Sequence, residues 1–318
     1  MSVLAKTLAA LCLAAVGGAA FAAPSDGAQI TFAGPSGITL DAVIYKPDNV
    51  ATRDDWPAIV LMHGCSGMWS SSVFGAASGG YPNLQKHIES WGRYLADHGY
   101  IAIAVDSFNG RGDPQTQCGA AVTNPYTERP QDARAAYAYL AGLGEVNPVR
   151  VGLLGWSQGA EAAMVEASAT VYNSTTLRAD NDHLFEATAV FYPGCGAAMQ
   201  FGSPASSWWR PFNDFKMSMG YDDAFRANCN TRIQRARDVY GSTAGSGHEA
   251  TITIYDGADH SFDIDGRTIL GMNDTQFPTS AQFLACSVAG SNTEDCAMIR
   301  ADWTTLSFFN DRLQEASS

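Results

Sequence analysis

Residues 149–154, Val-Arg-Val-Gly-Leu-Leu, run directly into Gly155-Trp156-Ser157-Gln158-Gly159, and an alanine-rich stretch follows from Gln158. The apolar run reads as a buried strand and the alanine-rich stretch as a helix. A serine between them is confined to one sharp turn that pushes its hydroxyl clear of the sheet, and the glycines two residues to either side let strand and helix cross closely. A strand buried on both faces and continued by a helix belongs to a parallel sheet. This one junction therefore restricts the chain to alternating α/β architectures.

The flanking sequence repeats the alternation. Residues 38–45 alternate apolar and polar side chains like an early antiparallel strand, and 58–62 form an apolar run ending at His63-Gly64. Helical spacing over 88–98 stops at Gly99, and 101–105 reads as the next buried strand, closing at Asp106. Pro130 is placed to start the helix that carries residues 133–143. Further strands are expected at 187–192, 215–219 and 250–255, with helices over 231–240 and 301–313. The expectation is a mostly parallel central sheet with helices on both faces. Residues 67–82 and 196–213 resist the scheme, and long irregular segments of this kind are often functional.

Ahead of these elements, residues 7–21 are rich in Ala and Leu, follow Lys6, and end in Ala20-Phe21-Ala22 before Ala23-Pro24. That is the pattern of a cleaved secretory signal, and the run is shorter than the roughly 20 apolar residues a membrane span needs. Residues 1–22 are read as a signal peptide and 23–318 as a single domain, exported to the periplasm or beyond, with no membrane partner. The formal charge of −13 argues against nucleic acid as a partner. Cys12 leaves with the signal, and the remaining Cys65, Cys118, Cys195, Cys229, Cys286 and Cys296 are even in number, which suits an oxidising compartment. Cys286 and Cys296 lie close enough in sequence to close a small loop; the other pairings stay open, with buried free thiols as the alternative. No Cys/His spacing points to zinc, and Asp263-Ile264-Asp265-Gly266 has only the start of a calcium loop.

A serine hydroxyl is a weak nucleophile near neutral pH and needs a base, which needs a partner to fix its tautomer. Where a serine sits on a strand-to-helix turn, acid and histidine follow it in that order along the chain. After the last strong strand comes Asp256-Gly257-Ala258-Asp259-His260-Ser261-Phe262, which makes His260 the candidate base. The acid should follow the preceding strand, where Gly220-Tyr221-Asp222-Asp223 offers two carboxylates. Asp223 is preferred for its offset from the glycine, Asp222 is the alternative, and Asp259 ranks third. An oxyanion hole is assigned to the backbone N–H groups of Cys65, on the loop after the first buried strand, and of Gln158, on the turn itself. His63 is read as bracing that loop. Trp156, Trp69 and Trp208 are candidates for a pocket wall around a bulky acyl group, with core packing as the alternative.

Four blocks together resemble the dienelactone hydrolase family, and in particular its exported relatives with a serine nucleophile: Leu61-Met62-His63-Gly64-Cys65, Asp106-Ser107-Phe108-Asn109-Gly110-Arg111-Gly112, Gly155-Trp156-Ser157-Gln158-Gly159 and Gly257-Ala258-Asp259-His260-Ser261-Phe262. The resemblance covers residues 58–262. It implies an α/β-hydrolase fold, no metal or organic cofactor, and a small-molecule ester or lactone as substrate. It also implies a substrate carboxylate for Arg111, against which stands a structural ion pair with Asp106. The best-known members carry cysteine where this chain has Ser157. Acyl transfer or peptide hydrolysis would use the same residues, and a secreted binding protein without turnover is the reading from another class.

Overall fold

The computed structural model describes residues 27–48, 50–69, 84–241, 248–264, 277–288 and 292–314. The expected signal, residues 70–82 of the first irregular segment and Asp265-Gly266 of the partial calcium loop lie outside them. Eight strands form one sheet: β1 (Ala28–Ala33), β2 (Thr39–Tyr45), β3 (Trp56–Met62), β4 (Ile101–Asp106), β5 (Val146–Trp156), β6 (Ala187–Phe191), β7 (Asp214–Gly220) and β8 (Ala250–Tyr255). Their order across the sheet is β1-β2-β4-β3-β5-β6-β7-β8. β2 runs antiparallel to both β1 and β4, and every other pairing is parallel. The helices are α1 (Lys86–Asp97), α2 (Arg129–Ala141), α3 (Gln158–Glu166), α4 (Arg226–Tyr240), α5 (Ser280–Cys286) and α6 (Glu294–Leu313).

Why both faces are covered is legible along β5, where successive side chains point to opposite faces. Gly152 lies against Phe309 and Leu313 of α6, whereas Gly155, three residues on, lies against the start of α3. Trp156 shares the face of Gly152 and meets Trp91 of α1, so α1 and α6 cover one face. α2 packs on α3 and β5 on the other. With helices on both sides, all residues of β3 and β4 are buried. At the rim, β1 exposes most of its residues, as expected of an edge strand with one row of backbone groups facing solvent.

Three disulfides close the chain: Cys65–Cys118, Cys195–Cys229 and Cys286–Cys296. The last joins α5 to α6, and all six cysteines that the sequence assigns to the mature chain are paired, which fits an oxidising compartment. Among the described residues no helix is long and apolar enough to cross a membrane, and no group of His, Cys, Asp and Glu is arranged to hold a metal ion.

Candidate active site

In open α/β sheets, ligands bind beyond the carboxyl ends of the parallel strands. Cys65 follows β3, Ser157 follows β5, Asp223 follows β7 and His260 follows β8, so the sheet delivers all four to one edge. Ser157 sits at φ 48°, ψ −114°, a backbone state that L-residues rarely adopt and that costs on the order of 1–3 kcal/mol. The turn is closed by the Ser157 N–H on the Phe191 carbonyl at 2.9 Å and the Glu161 N–H on the Ser157 carbonyl at 3.0 Å. Gly159 makes the close crossing possible: a Cβ there would stand 2.2 Å from the Met62 carbonyl oxygen.

Ser157 Oγ lies 3.0 Å from His260 Nε2, and His260 Nδ1 lies 2.8 Å from Asp223 Oδ2. The other oxygen of Asp223 accepts the Phe225 N–H at 2.7 Å, so the turn after β7 holds the buried carboxylate in line with the imidazole. Asp222 is exposed, its N–H spent on the Ala258 carbonyl at 2.9 Å, and Asp259 is likewise exposed. The His260 ring is flanked by Tyr192 and Phe225, with centroids 4.8 and 5.7 Å away.

The loop after β3 lies against the elbow, since a Cβ on Gly64 would fall 3.6 Å from the Ser157 Cβ. His63 braces it as expected: its Nδ1 is 2.7 Å from the Gly64 carbonyl, and its Nε2 accepts the Ser107 N–H at 3.2 Å. Burial and the neighbouring Arg129 cation hold His63 well below the usual imidazole range, so the ring is neutral. Cys65 is anchored twice, through its disulfide to Cys118 and through its carbonyl, which accepts the Gln117 N–H at 2.7 Å. A cleft of about 700 Å³ opens here, lined among others by Cys65, Trp156, Ser157, Gln158, Glu161 and His260.

Three candidates are not brought to the cleft. Arg111 is fastened to Asp132 by two hydrogen bonds of 2.9 and 2.8 Å and to the Ser107 carbonyl at 2.6 Å; its ion-pair partner is Asp132, with Glu128 at 3.6 Å, and not Asp106. Asp106 instead takes the indole N–H of Trp69 at 2.6 Å, and that ring is buried outside the cleft lining. Trp208 packs on the core beside Gly202. Trp156 does line the cleft, but it is almost wholly buried, with its indole N–H on Asp263 at 2.8 Å.

Several neighbours of the site had no motif to reveal them. Arg129, at the start of α2, is buried and donates to the His63 carbonyl and, at 3.0 Å, to Gln158 Oε1, so one cation ties together the two loops assigned to the oxyanion hole. Burial lowers its pKa to about 10. Asp263, three residues after His260, accepts from both Trp156 and Tyr192 and so binds the base's loop to the elbow and to the end of β6. Glu161 is the third. The Pro130 that marked the start of α2 was the nearest available signal for Arg129.

A stretch of 126 residues is 32% identical to the uncharacterized protein YcjY of Escherichia coli (strain K12), covering 39% of this chain and 34% of that protein. The match thus spans about a third of that relative's length. Among solved structures, a candidate dienelactone hydrolase from Klebsiella pneumoniae subsp. pneumoniae is similar with a TM-score of 0.58 and 15% identity, over 89% of this chain and 97% of that chain. The esterase Est2 of Thermogutta terrifontis gives 0.55 and 15% over 93% and 96%. At such identity the likeness is one of fold, the α/β-hydrolase fold. The sequence pattern of the dienelactone hydrolase family matches residues 40–286, a span that runs from β2 through α5 and contains Cys65, Ser157, Asp223 and His260. The chain belongs to the dienelactone hydrolase family.

Proposed function

We propose that this protein is an exported serine hydrolase that cleaves a carboxylic ester or lactone through an acyl-enzyme at Ser157. The observation that carries the reading is the unbroken line Ser157 Oγ, His260, Asp223, with steps of 3.0 and 2.8 Å, opening on a cleft. With its Nδ1–H donated to Asp223, His260 presents a lone pair at Nε2 to the serine hydroxyl. Ser157 attacks the ester carbonyl as His260 takes its proton, and the oxyanion turns toward the N–H groups of Cys65 and Gln158. The imidazolium, stabilised by Asp223, then protonates the departing alkoxide. Water, deprotonated by His260, releases the acid and restores the serine. These steps use only groups of this chain, and the three disulfides and the signal-like leader support export.

The test is hydrolysis of aryl esters, short alkyl esters and lactones by the mature chain and its Ser157→Ala variant. Turnover by the first that falls by about 10⁴-fold or more in the second is the expected result. Equal turnover by both, or none by either folded protein across the panel, counts against the reading.

A further inference from the structure

We propose that Glu161 sets the charge class of the substrate: its carboxyl group selects esters that carry an ammonium or hydroxyl donor and turns away esters that carry a carboxylate. This rests on the ester-hydrolase reading of the same cleft and goes beyond it to the substrate's chemistry.

Position comes first. Glu161 lies one helical turn after the nucleophile, its N–H bonded to the Ser157 carbonyl at 3.0 Å, and its side chain lines the cleft together with Ser157, His260, Tyr126 and Gly194. The triad has its own acid in Asp223, so the mechanism leaves Glu161 without a task. Its carboxyl nonetheless lies beside the Tyr126 hydroxyl and the Gly194 N–H, both of which favour its charged form. The carboxyl comes close to the backbone there: a Cβ at Gly194 would stand 2.4 Å from Glu161 Oε1 and would push the carboxyl aside. A carboxylate has about four lone-pair sites, so two donors leave accepting capacity for a group arriving through the cleft.

Charge comes second. No Lys or Arg lines the cleft among the described residues, and Glu161 is its one carboxylate there. The arginine that acts on Glu161, Arg129, is buried behind Gln158, and Arg111 is fixed to Asp132. Burial raises its pKa to about 7, outweighing the opposing pull of Tyr126, Arg129, the Gly194 N–H and His260. Above that pH the cleft holds a half-buried negative charge, in a chain of net charge −13. A second carboxylate would meet a like charge at reduced dielectric, whereas an ammonium would gain a partner.

The experiment uses three esters of one leaving group and matched acyl length, with a neutral, an ammonium or a carboxylate terminus, at pH 8. The readout is the ratio of kcat/KM for the ammonium ester to that for the carboxylate ester. It should favour the ammonium ester strongly in the native sequence and fall by about tenfold or more in Glu161→Gln, which keeps shape and removes charge. An unchanged ratio overturns the proposal. A second measurement does not depend on turnover: calorimetric binding of benzyltrimethylammonium and of benzoate to the same two proteins, with ammonium binding expected and weakened about tenfold by the variant. Charge-selective binding without turnover defeats the hydrolase reading and leaves Glu161 as the charge-selecting group of a binding cleft; turnover without charge selection overturns the role of Glu161 and leaves the hydrolase reading standing.

Discussion

Two adjacent aspartates after β7 show how little sequence distance separates a buried carboxylate bonded to a histidine from a solvated one. The turn that closes with the Phe225 N–H on Asp223 buries that carboxylate against His260, and it leaves Asp222 facing water. Asp223→Asn should therefore lower kcat by about 10⁴-fold, because an amide no longer holds the productive tautomer of the imidazole. Asp222→Asn should change kcat by no more than about twofold, as surface substitutions usually do. Steady-state kinetics on any turned-over ester decides between them, and the opposite ranking would move the acid to Asp222. Ser157 and His260 were legible because strand and loop context confines them. Arg129, Asp263 and Glu161 were not, since their partners are backbone carbonyls and side chains from distant segments, which leave no local pattern. Arg111 shows the converse: a family-like motif position whose guanidinium is absorbed by Asp132, a residue of α2 that sequence spacing does not connect to it.

At the level of elements, the buried strands could be read to within three residues at either end, because continuous apolar runs bounded by Gly, His or Asp admit few other readings. β1 was missed: an edge strand that exposes most of its side chains carries only a short apolar signal, here Ile30 and Phe32. α4 and α6 begin five and seven residues before the positions expected from periodicity, at Arg226 and Glu294. The first turn of α6 is Glu294-Asp295-Cys296, and acidic residues there answer the helix dipole and not the core. α5 escaped notice although Thr279 and Gln282 form a complete capping box. The loop after β3 depends on a partner far along the chain, the Cys118 that fixes Cys65 from 53 residues away. Cys118→Ser should slacken the assigned oxyanion donor and lower kcat by about tenfold with little change in KM, short of the roughly 10²–10³ lost when such a donor is removed outright. The double change Cys286→Ser, Cys296→Ser, remote from the cleft, serves as control. Equal kcat values in both variants would mean that the disulfide at Cys65 does not position the oxyanion hole.

Over the whole molecule, the sheet performs one task that no segment performs alone. Ser157 and His260 are 103 residues apart in sequence and 3.0 Å apart at Oγ and Nε2, because β5, β7 and β8 end on the same side of one twisted layer. The helices on either face keep that layer dry, and the strained backbone at Ser157 is maintained by the packing around it. If this arrangement makes an activated nucleophile, a fluorophosphonate should identify it in the folded mature chain without any knowledge of the substrate. The measurement is intact-mass labelling followed by peptide mapping, with circular dichroism to verify folding. The expected result is a single adduct on Ser157, absent from Ser157→Ala and formed far more slowly by His260→Ala. A folded chain that takes no label, or a Ser157→Ala variant labelled as fast as the native sequence, would contradict the assignment of Ser157 as the nucleophile.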